Sequence, residues 1–226
     1  MEVEGVEIRV KKSNRKTVSI FVERDGSVSA LVPNSLENET IKEVLTSKSY
    51  QIHKNLAEWE QLNERYVLRE YVSGQSFLYL GRNYRLKLVD DTLGELVFKQ
   101  NTFFMGRSEV RNGEAFFIDF YKKKLEMKLK NLMPIYENRL GVKASDFKIM
   151  ELQNRWASCT KKGNVNFHWK CAMAPIDVLH YIVAHELAHL IHMNHTAAFW
   201  NAVDKVVPNY SESLNWLKYN GAGMSL

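Results

Sequence analysis

Cysteine is scarce in this chain: Cys159 and Cys171 are the two in 226 residues. So few exclude a disulfide framework, and no C-x-x-C pair is present to hold a zinc ion, so both read as free thiols of a reducing compartment. Long apolar runs are missing too. No stretch approaches the ~20 residues that span a bilayer, so no membrane partner is expected. Met1-Glu2-Val3-Glu4 has none of the basic, apolar or cleavage regions of a signal peptide, and the expected location is the cytoplasm. There is no G-x-x-x-x-G-K-S/T loop, so any nucleotide would be held in another way. Internal repeats and low-complexity segments are also absent.

What is present is ordinary for a soluble globular protein: 45% apolar and 25% charged residues. The length suits one large domain or two small ones. Lys and Arg number 31 against 26 Asp and Glu, a net charge of +5. That balance permits an anionic substrate or a nucleic acid and requires neither.

One segment departs from the ordinary. His185-Glu186-Leu187-Ala188-His189 is followed by His195, and six of the seven histidines fall between His168 and His195. The pattern is H-E-x-x-H-x-x-x-x-x-H, that of a catalytic zinc site on a helix. With ~3.6 residues per turn, positions i and i+4 share one face, so His185 and His189 can address one ion. Glu186 beside them suits a general base acting on water. An H-E-x-x-H arises by chance in roughly 2% of chains of this composition, and the further histidine makes the pattern strong. Tyr181, Ile182, Val183, Leu187, Leu190 and Ile191 supply the helix's apolar residues, behind Pro175 and Asp177 at its start.

A catalytic zinc takes three protein ligands and keeps one open position. Four residues compete for the third place. His192 lies a turn beyond His189, ~4.5 Å further along the axis, where a continuing helix carries it past the metal. His195 reaches back if the helix ends and the chain turns, and Asn194 suits such a stop because Asn tolerates the left-handed conformation. Asp204 and Glu212 are the carboxylate alternatives. His195 is favoured, since imidazole suits a borderline-soft ion; His192 then lies in solvent or behind the ligands.

Along the chain, the first half reads as strands with one helical insertion. Thr17 to Val22 and Ser27 to Val32 flank Arg24-Asp25-Gly26, a hairpin signal. Glu39 to about Arg65 reads as a long polar helix. Phe77 to Leu80 and Tyr84 to Val89 flank Gly81-Arg82-Asn83; Leu96 to Lys99 and Thr102 to Met105 flank Gln100-Asn101. The polar loop from Gly106 to Gly113 is the expected boundary between a β-rich domain, 1–112, and a second domain, 113–226. Glu114 to about Leu140 reads as a helix that Pro134 must kink or break and Gly141 stops. Phe147 to Leu152 and Val165 to Trp169 read as strands before the histidine helix, and Ser211 to Tyr219 as a last helix behind Pro208. The fold class is α+β.

Asn154-Arg155-Trp156-Ala157-Ser158-Cys159-Thr160 resembles the R-W-G-S-C-S signature of the YgjP-like metallopeptidase family, related to the SprT-like proteases. The segments from His185 to Leu190, Asn194-His195 and Phe199-Trp200 resemble its metal-site block. Lys12 to Pro33 and the Gly81-Arg82-Asn83-Tyr84 hairpin are also similar. The resemblance implies a zincin-like C-terminal domain with the metal site on a central helix, His185, His189 and His195 on the metal, and Glu186 as base. Ala157 replaces the usual Gly, and His168 stands where Asn is common.

The chemistry expected from these residues is hydrolysis by water activated on zinc, Glu186 moving the proton. Charge developing on the attacked oxygen needs a further donor, for which Arg155 and His168 are the candidates. A peptide or protein substrate would lie extended along a strand such as Asn164 to Trp169. The alternative implied by the family is a pyrophosphatase acting on a nucleoside triphosphate, UTP, with Arg155 and Lys161-Lys162 on the phosphates and Mg2+ beside or instead of Zn2+. A more distant third is a nucleic-acid-binding module with a structural metal, against which Glu186 argues, since a structural site needs no base.

Overall fold

The computed structural model describes residues 1–23, 26–63, 69–152 and 155–226. The chain is α+β and divides into two compact units, Met1–Tyr66 and Val67–Leu226. No helix among the described residues is long and apolar enough to cross a membrane.

The first unit holds strands β1 (Glu2–Val3), β2 (Val6–Ser13), β3 (Ser19–Val22) and β4 (Val28–Pro33), then helices α1 (Asn38–Thr46) and α2 (Ser49–Asn63). The sheet runs β1-β2-β4-β3, with β2 and β4 parallel and β3 and β4 antiparallel. Alternation along the strands sends Ile8, Val28, Ala30 and Val32 to one face, where they bury with Ile41, Leu45 and Ile52 of the helices. Arg24 and Asp25 of the expected hairpin turn lie outside the described residues, and so does the expected helix end at Arg65. What was expected as one helix is two. The first ends where the Ser47 hydroxyl bonds the Val44 carbonyl and the Ser47 N–H bonds that of Glu43, the local side-chain bonding by which serine competes with a helix.

The second unit begins with β5 (Ser76–Tyr79), β6 (Arg82–Val89), β7 (Val97–Lys99) and β8 (Thr102–Gly106), ordered β5-β6-β8-β7 with β6 and β8 parallel. Its two hairpins turn on residue pairs with positive φ, Leu80-Gly81 and Gln100-Asn101, as two-residue turns compatible with strand twist require. Helix α3 (Gly113–Leu140) follows. Phe103 of β8 packs 5.1 Å, centroid to centroid, from Phe117 of α3, and both belong to the core that extends to Phe167, Leu179, Val183 and Phe199. The expected boundary at 112/113 therefore falls inside this unit.

Pro134 does not break α3. Proline frees the carbonyl four residues earlier, here Lys130, and both residues are exposed, so the orphaned oxygen can face water. Gly141 stops the helix in the left-handed conformation, φ 67°, and the Val142 N–H caps the Glu137 carbonyl at 2.9 Å.

Beyond α3 lie β9 (Asp146–Met150), β10 (Ala157–Cys159) and β11 (Asn164–His168), a sheet ordered β10-β11-β9. Asn164 to Trp169, expected as a substrate-binding edge, is not one: β11 is the central strand, parallel to β9 and antiparallel to β10, and its ladder bonds are taken on both sides. Helices α4 (Ile176–Ala188), α5 (Ala197–Val206) and α6 (Tyr210–Asn220) complete the unit.

The β5–β6 turn is docked onto the entry to α4. The N–H groups of Leu80 and Gly81 donate to the carbonyls of Ala172 and Met173 at 3.0 and 2.8 Å. A Cβ on Gly81 would stand 2.7 Å from Pro175 Cγ, and its φ is +77°. Gly81→Ala is therefore expected to destabilise the protein by about 1–3 kcal/mol, measured as a shift in the denaturation midpoint; an unchanged midpoint would mean the turn is not held against Pro175.

Candidate metal centre

Helix α4 is apolar on nearly every side: Val178, Leu179, Tyr181, Ile182, Val183, Ala184, Leu187 and Ala188 are buried. Pro175 stands at its N-cap and Asp177 in its first turn, where fixed φ and a negative charge suit a helix start. The helix ends at Ala188, with His189 as its C-cap. Asn194 was expected to end it and does not take the left-handed conformation. The last turn tightens instead: the N–H groups of Leu190 and Ile191 bond the Leu187 and Ala188 carbonyls, both at 3.0 Å. This early stop leaves residues 190–196 to loop back, and the loop carries His195 over the helix.

The ligand atoms of His185, His189 and His195 lie within 4.8 Å of one another. Among the described residues no other group of three or more His, Cys, Asp or Glu is so disposed; His192, Asp204 and Glu212 stand outside it. The Nε2 atoms of His185 and His195 are 3.0 Å apart. Two nitrogens at ~2.0–2.1 Å from a tetrahedral zinc are separated by about 3.3 Å, so the spacing matches a shared ion.

The far side of two rings fixes how they can act. His189 Nδ1 lies 3.2 Å from the His192 carbonyl, which can only accept, so Nδ1 carries the proton and Nε2 keeps its lone pair. His185 Nδ1 is 3.2 Å from the Tyr181 hydroxyl, which can accept in the same way. Partners of this kind set tautomer and ring orientation in metal-binding histidines. Burial pushes the His185 imidazole down to about 3, with His189 and His195 adding to the effect, and burial lowers His189 as well. Both rings are thus neutral, as ligands must be.

Aromatic side chains hold the imidazoles in place. The fully buried Phe199 ring lies 4.9, 4.6 and 4.7 Å from His185, His189 and His195. Trp200 packs on His185 and His195, and Tyr210 stacks on Trp200. Tyr181 was not singled out as a site residue in the sequence, although it precedes His185 by one helical turn. Tyr181→Phe is expected to weaken metal binding by about 10–100-fold, measured by competition with a chromogenic chelator. Unchanged affinity would show that the hydroxyl does not orient the ring.

Glu186 is only 6% exposed, and its Oε2 has no hydrogen-bond partner. Burial pushes its carboxyl up to about 8, while the Arg155 charge works the other way. A buried carboxyl with an unmet acceptor needs a donor or a cation beside it. That need, and three imidazoles whose ring nitrogens converge, fit a divalent metal. Arg155 is exposed yet near enough for its charge to act on Glu186.

His168 is different. It is fully buried, its Nδ1 accepts the Lys170 N–H at 3.1 Å, and its Nε2 lies 3.0 Å from Glu151 Oε1. The Trp169 indole donates to the other Glu151 oxygen. Both ring nitrogens are engaged, Nδ1 by Lys170 just after β11 and Nε2 by Glu151 just after β9. Glu151, missed in the sequence, is its anchor. Cys159 of β10 is half-buried; burial, and then the Glu186 charge, push its thiol up to about 11, so it stays protonated at neutral pH.

A family model described as YgjP-like, metallopeptidase domain matches residues 16–220. Among solved structures, the chain is similar to the metallopeptidase zymogen abylysin of Pyrococcus abyssi, at 25% identity over 39% of this chain and 90% of that one, with a TM-score of 0.38. No curated protein matches.

Proposed function

The chain belongs to the YgjP-like metallopeptidase family, and from that premise we propose that it is a zinc-dependent peptidase with a zincin-like active site centred on α4. His185, His189 and His195 hold the ion, and the carrying observation is their convergence beside buried Glu186, whose Oε2 has no hydrogen-bond partner. Zinc bound there supplies Lewis acidity, making water nucleophilic near neutral pH and polarising the scissile carbonyl.

The chain's own residues do the rest. Glu186 takes the proton from the attacking water and returns it to the leaving amine. Arg155, the surviving donor candidate of the two expected, faces the charge that develops on the carbonyl oxygen. His168 is assigned to holding β11 through Glu151, not to catalysis. The substrate lies along β10. Ladder bonds from His168 N–H to the Trp156 carbonyl and from Thr160 N–H to that of Asn164 turn the N–H and C=O groups of Ala157 and Cys159 away from β11. An extended peptide can add to that edge as a further strand, next to α4.

The test is cleavage of an unstructured protein by zinc-loaded protein, beside release of pyrophosphate from UTP with zinc or magnesium. Peptide-bond cleavage that chelation abolishes and zinc restores is expected. Pyrophosphate release without peptide cleavage would overturn the peptidase reading.

A further inference from the structure

The first sheet has a second face that its helices do not cover. Residues 8, 10, 20, 22, 28, 30 and 32 point to the core of the first unit, so the alternating set on β2, β3 and β4 points away. The register gives two rows across that face: Arg9, Ser29, Phe21 and then Lys11, Leu31, Ser19. Phe21 is 41% exposed, and Arg9 and Lys11 are exposed as well. The short side chain of Ser29 lies between the Phe21 ring and the Arg9 side chain, two strand spacings or roughly 10 Å apart. The result is a shallow trough with an aromatic wall and a basic wall.

Arg15 closes one end. One of its terminal nitrogens donates to Ser19 Oγ, while its Nε is buried without a hydrogen-bond partner. Its guanidinium carries a permanent positive charge at the Lys11–Ser19 end of the face. Glu23 accepts from Ser29 Oγ, so one carboxylate lies on the floor between the two walls, while Glu7, one residue before the Ile8–Val28 pair, and Glu2 beside it mark the end away from Lys11.

We infer that this face binds single-stranded nucleic acid, a base stacking on Phe21 and the phosphates meeting Arg9, Lys11 and Arg15. An aromatic ring beside a basic track is how sequence-tolerant single-strand binders work. Stacking on Phe21 requires an unstacked base, which a duplex does not offer, and a flat sheet face has nothing to insert into a groove. Three cations interspersed with carboxylates are fewer than the clusters of 4–8 that mark binding to anionic membranes.

The test uses the full chain and fluorescence anisotropy with labelled oligothymidylate and oligouridylate of about 20 nucleotides, longer than the site of one small module. A duplex and phosphatidylserine vesicles serve as comparisons. Both single strands are expected to bind, with affinity falling between about 50 and 200 mM salt. Phe21→Ala is expected to weaken binding by about tenfold. Replacing Arg9 and Lys11 together by Ala should flatten the log–log salt slope by about 1.4, two phosphate contacts at about 0.7 each. These side chains are exposed, so thermal unfolding should be unchanged; Glu186→Gln should bind as wild type, which separates this site from the peptidase centre. No binding at low salt, binding untouched by both sets of substitutions, or tighter binding to duplex or vesicles would overturn the inference.

Discussion

Glu186→Gln should lower peptide-bond turnover by about 10²–10⁴-fold, the range that general-base catalysis supplies, while the protein still binds one zinc per chain. The substitution keeps the side chain's size and removes only its ability to hold a proton. The carboxyl's surroundings add a second, independent readout. Its folded-state value, about 8 in the metal-free protein, lies above the ordinary 4.5, because burial disfavours the charge. A group raised in this way binds its proton more tightly when folded. Its contribution to stability is therefore complete below about pH 4.5 and is lost as pH rises toward 8. Glutamine has no charge to bury. Metal-free Glu186→Gln should accordingly be more stable than wild type at pH 8–9, by up to about 5 kcal/mol, with the gap closing near pH 5. Zinc should narrow the gap, since a cation beside the carboxylate offsets the cost of burying it. Retained turnover would remove Glu186 as the proton acceptor. A gap absent at every pH would mean that the carboxylate is already compensated, with Arg155 the nearest means.

The parts of this site that were legible in the sequence are those governed by one helical turn. His185 and His189 share a face because they are four residues apart, and Tyr181 stands in the same relation to His185; the same spacing argument reaches it, although the residue passed for core. His195 was readable by chemistry, being the histidine that a turn after the helix can bring back. The manner of that return was not. No glycine marks the end of α4, and a tightening of the last turn at Leu190 and Ile191 leaves no compositional trace.

Non-local pairing was the other blind spot. Strand β10 spans three residues, too few to show a period, although it is an end strand of its sheet. The adjacent β11, expected as the edge, lies between two neighbours, and a strand paired on both sides is as apolar as an edge strand over so short a length. The parallel pairs β2–β4 and β6–β8 join strands that are not consecutive, which hairpin signals cannot reveal. His168 shows the same limit in side-chain terms: it was expected near the histidine helix as a catalytic donor, and a carboxylate seventeen residues earlier, Glu151, bonds its ring.

His195→Ala and His192→Ala should separate the two histidines that compete for the third ligand position. Loss of His195 should weaken zinc binding by more than the about 100-fold that loss of a supporting hydrogen bond costs at its upper end, because it removes one of three nitrogens from the ion. His192→Ala should leave affinity within a few-fold of wild type, since the bond to His189 Nδ1 comes from the backbone carbonyl, which alanine retains. The contrast is informative because His195 is the exposed member of the triad, and exposed histidines on loops are ordinarily dispensable. Here its position is over-determined: the loop from His189 to Thr196 is short, the Phe199 ring lies 4.7 Å from it and the Trp200 ring 5.6 Å, and its Nε2 faces that of His185. Chelator competition, read beside Asp204→Ala and Glu212→Ala, decides the matter. If His192→Ala lost as much affinity as His195→Ala, the loop would present both rings to the ion, and the open position that a catalytic zinc needs would be filled by protein. The site would then be structural, and Glu186 would have no water to act on.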